Sequence, residues 1–424
     1  MSLSAAHASA ATLKQKELEA LALKLAETPR LQQAREAARQ VFLTHPYAGT
    51  PDGAASAEDA ALQHFYGALH LATNTDPHHP EISVVCMYRH SIDGQEFPSS
   101  LHGGLENPDN IYRVIPISSD SRYELKGVRH KPAPAQVTYE LMDSIPGVTS
   151  IGKQLGLLMD RDMQIAEDGS FTITIDSDPA NGRPNHIRST PEATALFIRD
   201  TLSDWSTQSL DRLRIVRTAG PETPRRTEQD LLDTAAALVP SYARFWNEFR
   251  DMYVKKLAFK TNQFDPPATR TGGWGFIANT HFEIKDDEAF IFTANPTLAP
   301  YHAVLIGNHW WIALDADRRS GAFNTAQSIA NRDGTVTYVI ATHDPGVHNW
   351  LDTGGLHEGI IQVRWQGTPA GVTALPDAIT DAGLVKLADL KNHLCAETAW
   401  LAPAQRKAQL DARHASYQRR LEIP

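Results

Sequence analysis

Four marks recur in order along the 424-residue chain: Asp168-Gly169, Asp178-Pro179, Asn185 and Arg199, then Asp333-Gly334, Asp344-Pro345, Asn349 and Arg364. The second set follows the first at separations of 165, 166, 164 and 165 residues, a constancy that independent coincidences do not produce. The chain therefore carries a duplicated unit. The segments around the marks agree as well, Phe171-Thr172-Ile173-Thr174-Ile175 with Val336-Thr337-Tyr338-Val339-Ile340, and Ala195-Leu196-Phe197-Ile198-Arg199 with Ile360-Ile361-Gln362-Val363-Arg364. Residues 171–176 alternate apolar and polar, the period-two signature of a strand with one buried face. Asp-Gly before it suits a tight turn that needs positive φ. Two such units predict tandem antiparallel sandwiches or jelly rolls. A weaker upstream match sets Arg122-Tyr123-Glu124-Leu125 against Pro300-Tyr301-His302-Ala303.

Around the duplicated units the apolar period changes from two to 3.6. Leu18, Leu21 and Leu25 draw one stripe within 11–43, and Pro29 after Thr28 suits the first turn of a second helix. A third helix is predicted over 57–73. The resulting organisation is a helical region at 1–75, a first β-rich unit at 76–218, a helical connector at 219–270, a second β-rich unit at 271–371 and a helical tail at 372–424. Strands are predicted at 82–88, 111–117, 123–128, 138–141, 171–176, 195–199 and 213–216, and again at 289–293, 301–306, 310–314, 336–342 and 360–365. In the connector, Thr227 with Asp230 reads as an N-terminal cap, and Pro240 is predicted to break the helix. The fold class is mainly β with helical additions.

A formal net charge of −10, with no stripe of Lys and Arg, argues against nucleic acid as a partner. Only two cysteines occur, Cys86 and Cys395, without CxxC spacing, so neither a disulfide framework nor a structural zinc site is expected. No uninterrupted apolar run is long enough to span a bilayer and the first 25 residues do not read as a signal peptide, which predicts a cytoplasmic protein with no membrane partner. The charged terminal helices suit a homo-oligomer. GxGxxG, GxxxxGK[ST] and GxSxG are all missing from the chain, so no cofactor is expected.

Asn107-Pro108-Asp109-Asn110-Ile111-Tyr112-Arg113 resembles a stretch of a bacterial family that carries the C-terminal domain of unknown function 1214. His343-Asp344-Pro345-Gly346-Val347-His348-Asn349-Trp350-Leu351-Asp352-Thr353 resembles that family's most recognisable segment. The resemblance covers roughly residues 100–370. It implies a jelly-roll-like β fold and brings no settled activity.

Residues shared by both units (Asp178 and Asp344, Asn185 and Asn349, Arg199 and Arg364) are read as turn-forming and backbone-capping groups. The functional candidates are then what one unit holds alone. His343, His348, Asp352 and His357 lie in one stretch between strands, with Glu358 beside them, and supply groups for proton transfer near neutral pH. Trp274, behind Gly272 and Gly273, and Trp350 suit the wall of a pocket, while Tyr112, Asn349 and an arginine, Arg364 or Arg113, would bind substrate, the arginine taking a carboxylate or oxyanion. Of Trp310 and Trp311, at the start of a predicted strand, one should face inward and one outward. Histidine spacing shows no HxH or HExxH, so no metal is assigned, although His78, His79, His90 and His102 could contribute from distant loops. These observations point to a cofactor-independent lyase, hydrolase or isomerase acting on a small apolar or polyol-like metabolite. The alternatives are a non-catalytic sugar- or lipid-binding protein and an assembly protein.

Overall fold

The turns marked by the repeat are made by the same bonds in both units. In the computed structural model, which describes residues 9–101, 103–257, 260–270 and 273–421, Asp168 accepts the Ser170 N–H at 2.9 Å and Asp333 accepts that of Thr335 at 3.0 Å. The glycine between takes φ of 81° and 86°, a left-handed conformation that glycine adopts without steric cost. His102, Thr271 and Gly272 lie outside the described residues.

The first unit runs β1 (Ser83–Val85), a hairpin of β2 (His90–Ile92) and β3 (Gln95–Phe97), β4 (Asn110–Pro116), β5 (Arg122–Val128), β6 (Gln136–Met142), β7 (Gln154–Met159), β8 (Ser170–Asp176), β9 (His186–Arg188), β10 (Ala195–Thr201) and β11 (Arg212–Ala219). The second runs β12 (Ala268–Thr269), β13 (Gly275–Glu283), β14 (Glu288–Ala294), β15 (Tyr301–Gly307), β16 (Ala322–Asn324), β17 (Val336–Ala341), β18 (Trp350–Asp352), β19 (Glu358–Gln366) and β20 (Ile379–Lys386). Each unit is a five-stranded sheet packed on a four-stranded one. The orders correspond strand for strand: β1-β4-β10-β6-β7 with β12-β13-β19-β15-β16, and β11-β5-β8-β9 with β20-β14-β17-β18. Even the short parallel pairs agree, β8 with β9 and β17 with β18. The fold is two related sandwiches.

Alternation then assigns two faces to each five-stranded sheet. Leu196 and Ile198 of β10 and Val137, Tyr139 and Leu141 of β6 fill the first sandwich. Val304, Ile306, Ile361, Val363 and Trp365 fill the second. The helices α1 (Leu13–Ala26), α2 (Pro29–Leu43), α3 (Pro51–Ala72) and α4 (Glu228–Leu257) form a layer, and all of these contribute to one large apolar core with residues of β1, β4 and β10 from the first five-stranded sheet. Two short caps close the chain, α5 (Leu390–His393) and the longer α6 (Pro403–Gln418). Among the described residues no helix is long and apolar enough to cross a membrane.

Several local expectations are corrected. Pro240 sits inside α4 without ending it: Ala235, Val239, Tyr242 and Trp246 are buried on either side of it, and that packing outweighs one lost backbone bond. Residues 310–314 form a tight turn, not a strand. Trp311 takes φ of 63°, and both tryptophans are buried in the helical core, so the inward-outward alternation fails there. The tail contributes a strand, β20, before its helices. The upstream sequence match pairs the wrong strands: β5 corresponds to β14, so Tyr123 faces the first sandwich's core while Tyr301 of β15 faces out of the second. The strands β2, β3, β7, β9, β12, β13, β16 and β18 are likewise not predicted from the sequence.

Burial holds four histidines neutral. It depresses the pKa of His70 and His281 to about 4, and of His302 and His309 to about 3. His302 projects from β15 into the second sandwich beside Trp365, at 5.3 Å between ring centres, and neither ring nitrogen has a hydrogen-bond partner. Between those values and about 6.5 the unfolded chain binds protons that the folded chain does not, so stability falls as pH drops. Each such histidine adds ~1.4 kcal/mol per pH unit to that slope. Urea unfolding from pH 7 to pH 4.5 should show this loss. His302→Phe should make the slope shallower by about one proton's worth, without destabilising the protein at pH 7.

Candidate functional site

The two sandwiches meet through the outer faces of their five-stranded sheets. Gln366 of β19 donates to Gln136 of β6 at 2.8 Å and to Thr201 of β10 at 3.4 Å. At this interface lies the segment Asn107 to Asn110, which leads into β4. Asn107 donates to the Tyr301 hydroxyl at 2.6 Å, and Asp109 accepts from Tyr301, Asn324 and Trp205 at 2.5, 2.9 and 2.7 Å. The Tyr112 hydroxyl accepts the Asn107 N–H at 2.9 Å and the Asn110 amide at 3.2 Å.

Arg199 and Arg364 stand at equivalent positions on β10 and β19, and both point into this interface. Arg199 lies over Phe197 at 4.4 Å and pairs with Glu140. Arg364 donates to Gln362 and to the Leu105 carbonyl at 3.1 Å. Leu105 has φ of 50°, an unusual value for a branched side chain, and its own N–H donates to the carbonyl of Trp311 at 2.9 Å. A third guanidinium, Arg270, enters from the β12–β13 connection, stacked on Trp274 at 4.3 Å, with Arg199 5.8 Å from the same ring. Burial lowers the pKa of Arg199 to about 10, Arg364 adding to the effect. Arg270 is pushed well down by burial and by Arg364 and Arg199. Like charges that depress one another in this way share one low-dielectric space. Arg270 keeps part of its surface accessible, and no ion pair is made by it or by Arg364 among the described residues.

Three of the sequence-chosen binding residues, Tyr112, Trp274 and Arg364, come together here. The others do not. Arg113 faces the interior of the first sandwich, paired with Asp200 at 3.1 Å and bonded to the Asp211 carbonyl at 2.8 Å. Asn349 bonds the N–H and C=O of Ile329 at 2.9 and 2.8 Å, as Asn185 does for Gln164, so the shared asparagines cap backbone. Of the shared arginines, Arg364 bonds one backbone carbonyl, that of Leu105, and Arg199 pairs with Glu140. Arg199, Arg270 and Glu140 were missed as site residues. The available signal was a charged residue repeated inside an otherwise apolar strand.

His343, His348, Asp352 and His357 do not share a hydrogen bond. His343 is exposed and bonds Thr342 at 2.9 Å. Asp352 pairs with Arg319 at 3.3 Å and accepts the Gly354 N–H at 2.8 Å. His357 bonds Asp286 at 3.0 Å and Asp52 at 3.5 Å; burial opposes protonation there, but these bonds outweigh it and its pKa is raised. Asp286 also accepts the Thr342 hydroxyl at 3.3 Å, which links His357 to His343 through two residues. Burial lowers the pKa of His348, which bonds Gln409 of α6 at 3.1 Å. The segment around His348 is the seat of the C-terminal helix. Asp344 pairs with Arg406 at 2.9 Å, the Leu401 N–H donates to Gly346 at 2.7 Å and that of His348 to Ala399 at 2.8 Å, and Arg406 lies 5.2 Å from the Trp350 ring. His78 and His79 bond Asp120 and Asp76, the His78 N–H also donating to Asp76, and His90 bonds Glu19, apart from both. Among the described residues no three His, Cys, Asp or Glu side chains converge as metal ligands.

Two sandwiches facing each other through their larger sheets, under a helical layer, define a duplicated β-sandwich protein. A crystal structure of an uncharacterised protein from Burkholderia cenocepacia has this fold, with a TM-score of 0.70, 23% identity and coverage of 87% of this chain and 99% of that one. A protein from Vibrio parahaemolyticus is a looser match, with a TM-score of 0.40, 9% identity and coverage of 66% of this chain and 90% of that one. No family model and no curated protein matches the chain.

Arg406→Ala should release α6 from the His343–Thr353 seat, leaving Asp344 unpaired. The expected cost is ~1–3 kcal/mol, with faster hydrogen exchange confined to residues 395–421 and the facing segment. Exchange that stayed at the wild-type rate there would show that the helix is held by other contacts.

Proposed function

We propose that the protein binds a small organic anion between its two sandwiches, where Arg199, Arg270 and Arg364 meet. The observation that supports this most is the charge balance. Among the described residues these three guanidiniums have one ion-paired carboxylate, Glu140, and that pair belongs to Arg199. Burying mutually repelling cations is costly, and an entering carboxylate or phosphate offsets the cost while taking the bidentate bonds that guanidinium forms best. Trp274, Phe197 and Tyr112 lie against these guanidiniums and help to hold them in place. The ligand class shifts from the sugar or lipid of the sequence reading to a small anion. The resemblance to the family with domain of unknown function 1214 remains part of this proposal and adds no activity to it.

A second reading keeps the acid–base enzyme, a lyase, hydrolase or isomerase. It is favoured by one observation, the hydrogen-bonded run from Asp52 through His357, Asp286 and Thr342 to His343 at the surface. Recovery of a bound compound chemically altered after incubation would support it, and recovery unchanged would support binding alone.

Titration with succinate or phosphate should raise the midpoint of thermal unfolding, with ~2.7 kcal/mol of added stability at a hundredfold excess over Kd. Arg364→Gln should abolish the response and leave the ligand-free protein within ~1 kcal/mol of wild type, because it also removes a repulsion. A large loss of ligand-free stability, or an unchanged anion response, would mean that Arg364 is structural.

A further inference from the structure

A groove of about 380 Å³ runs between α6 and the loops of both sandwiches, well apart in its lining residues from the arginine site. That volume lies in the range of small-molecule sites. Phe323, Ala326 and Leu410 give it apolar walls, Arg413, Ser320 and His348 are among its polar members, and Asp204 lines it as well.

The state of those polar groups decides what the groove can hold. Arg413 is buried and rigidly placed, with its guanidinium 4.6 Å from the Trp205 ring and 5.8 Å from that of Phe323. Its Nε donates to the Ala316 carbonyl and its Nη1 to Gln327 at 3.1 Å, while Nη2 has no partner. Ser320 is also buried and its hydroxyl is unpartnered. A buried donor left unmatched costs free energy that a ligand can return. The nearby carboxylate of Asp204 is already engaged by the Ser206 N–H and hydroxyl at 2.8 and 2.6 Å and by the Thr207 hydroxyl at 2.6 Å. Both ring nitrogens of His348 are committed, to Asn349 and Gln409, each at 3.1 Å. Arg413 Nη2 is thus an unmatched cationic donor and Ser320 an unmatched hydroxyl that can donate to a carboxylate, beside apolar walls.

We propose that the groove beneath α6 is a second ligand site, which takes a compact carboxylic acid with an apolar body. The carboxylate accepts from Arg413 and Ser320, and the body lies against Phe323 and Leu410. The site is independent of the anion site between the sandwiches.

The test uses 4-fluorobenzoate, followed by 19F line broadening and titration on the full chain, with 4-fluorobenzamide as the neutral analogue. The carboxylate should bind at least about tenfold more tightly than the amide, a difference of ~1.4 kcal/mol. Ala412 is exposed at the groove's rim, so Ala412→Trp should block entry and weaken binding by about tenfold or more with an unchanged circular-dichroism spectrum. Arg364→Gln should leave this binding intact. The proposal is overturned by equal affinity for acid and amide, by binding that Ala412→Trp does not affect, or by the failure of 4-fluorobenzoate, phenylacetate and hexanoate all to bind below ~5 mM, weaker than ~3 kcal/mol.

Discussion

The carboxylate of Asp109 is the contact through which both sandwiches and the C-terminal helix are set against one another. It accepts from Tyr301 and Asn324 of the second unit and from Trp205, on the loop that leaves β10, while its own carbonyl accepts the Leu202 N–H at 2.8 Å. Trp205 in turn carries Arg413 and Arg420 at 4.6 Å each, and Arg420 donates to the neighbouring Pro108 carbonyl at 2.9 Å. Burial pushes the pKa of Asp109 up, and the three donated bonds oppose it. Hydrogen bonds to an ionised acceptor are about twice as strong as neutral ones, and removing the carboxylate would strand three buried donors together.

The fold was legible because duplication wrote it twice. Asp168-Gly169 and Asp333-Gly334 mark the same turn, Asn185 and Asn349 cap the same backbone, and the strands after them pair in the same order. Where only one copy could be read, local rules failed. Trp310 and Trp311 carry strand propensity but lie in a turn held by long-range packing, and Pro240 sits in a helix held by the same large core. Tyr301 looked like Tyr123 over a few residues, yet the two face opposite ways. Short matches do not determine which face of a sheet a residue occupies.

The candidate site was legible in part for a related reason. Treating shared residues as backbone-capping groups agrees with the bonds of the asparagines, whereas of the arginines Arg364 bonds one carbonyl, that of Leu105, and Arg199 pairs with Glu140. It also drew attention to His348 and Trp350, whose contacts seat α6, and away from Arg199, Arg270 and Glu140. A long polar segment between strands can be specific because it must fit another part of its own chain. Side-chain chemistry alone does not separate that case from catalysis.

The arginine pair is where the duplication becomes asymmetric. The register that places Thr138 beside Arg199 places Ala303 beside Arg364, so Glu140 in the first unit corresponds to Leu305 in the second, and Phe197 to Gln362. A faithful copy would have brought two arginines together with a carboxylate each. Instead one copy keeps its carboxylate, and the other offers only an amide and a backbone carbonyl as acceptors. Arg270 then adds a further positive charge from a connection that the first unit does not match. If the pair served only to join the sheets, apolar replacements on both sides would do so at lower electrostatic cost. Two arginines with one carboxylate between them leave positive charge on the second unit's side of the interface, and a bound anion is the partner that such an imbalance suits.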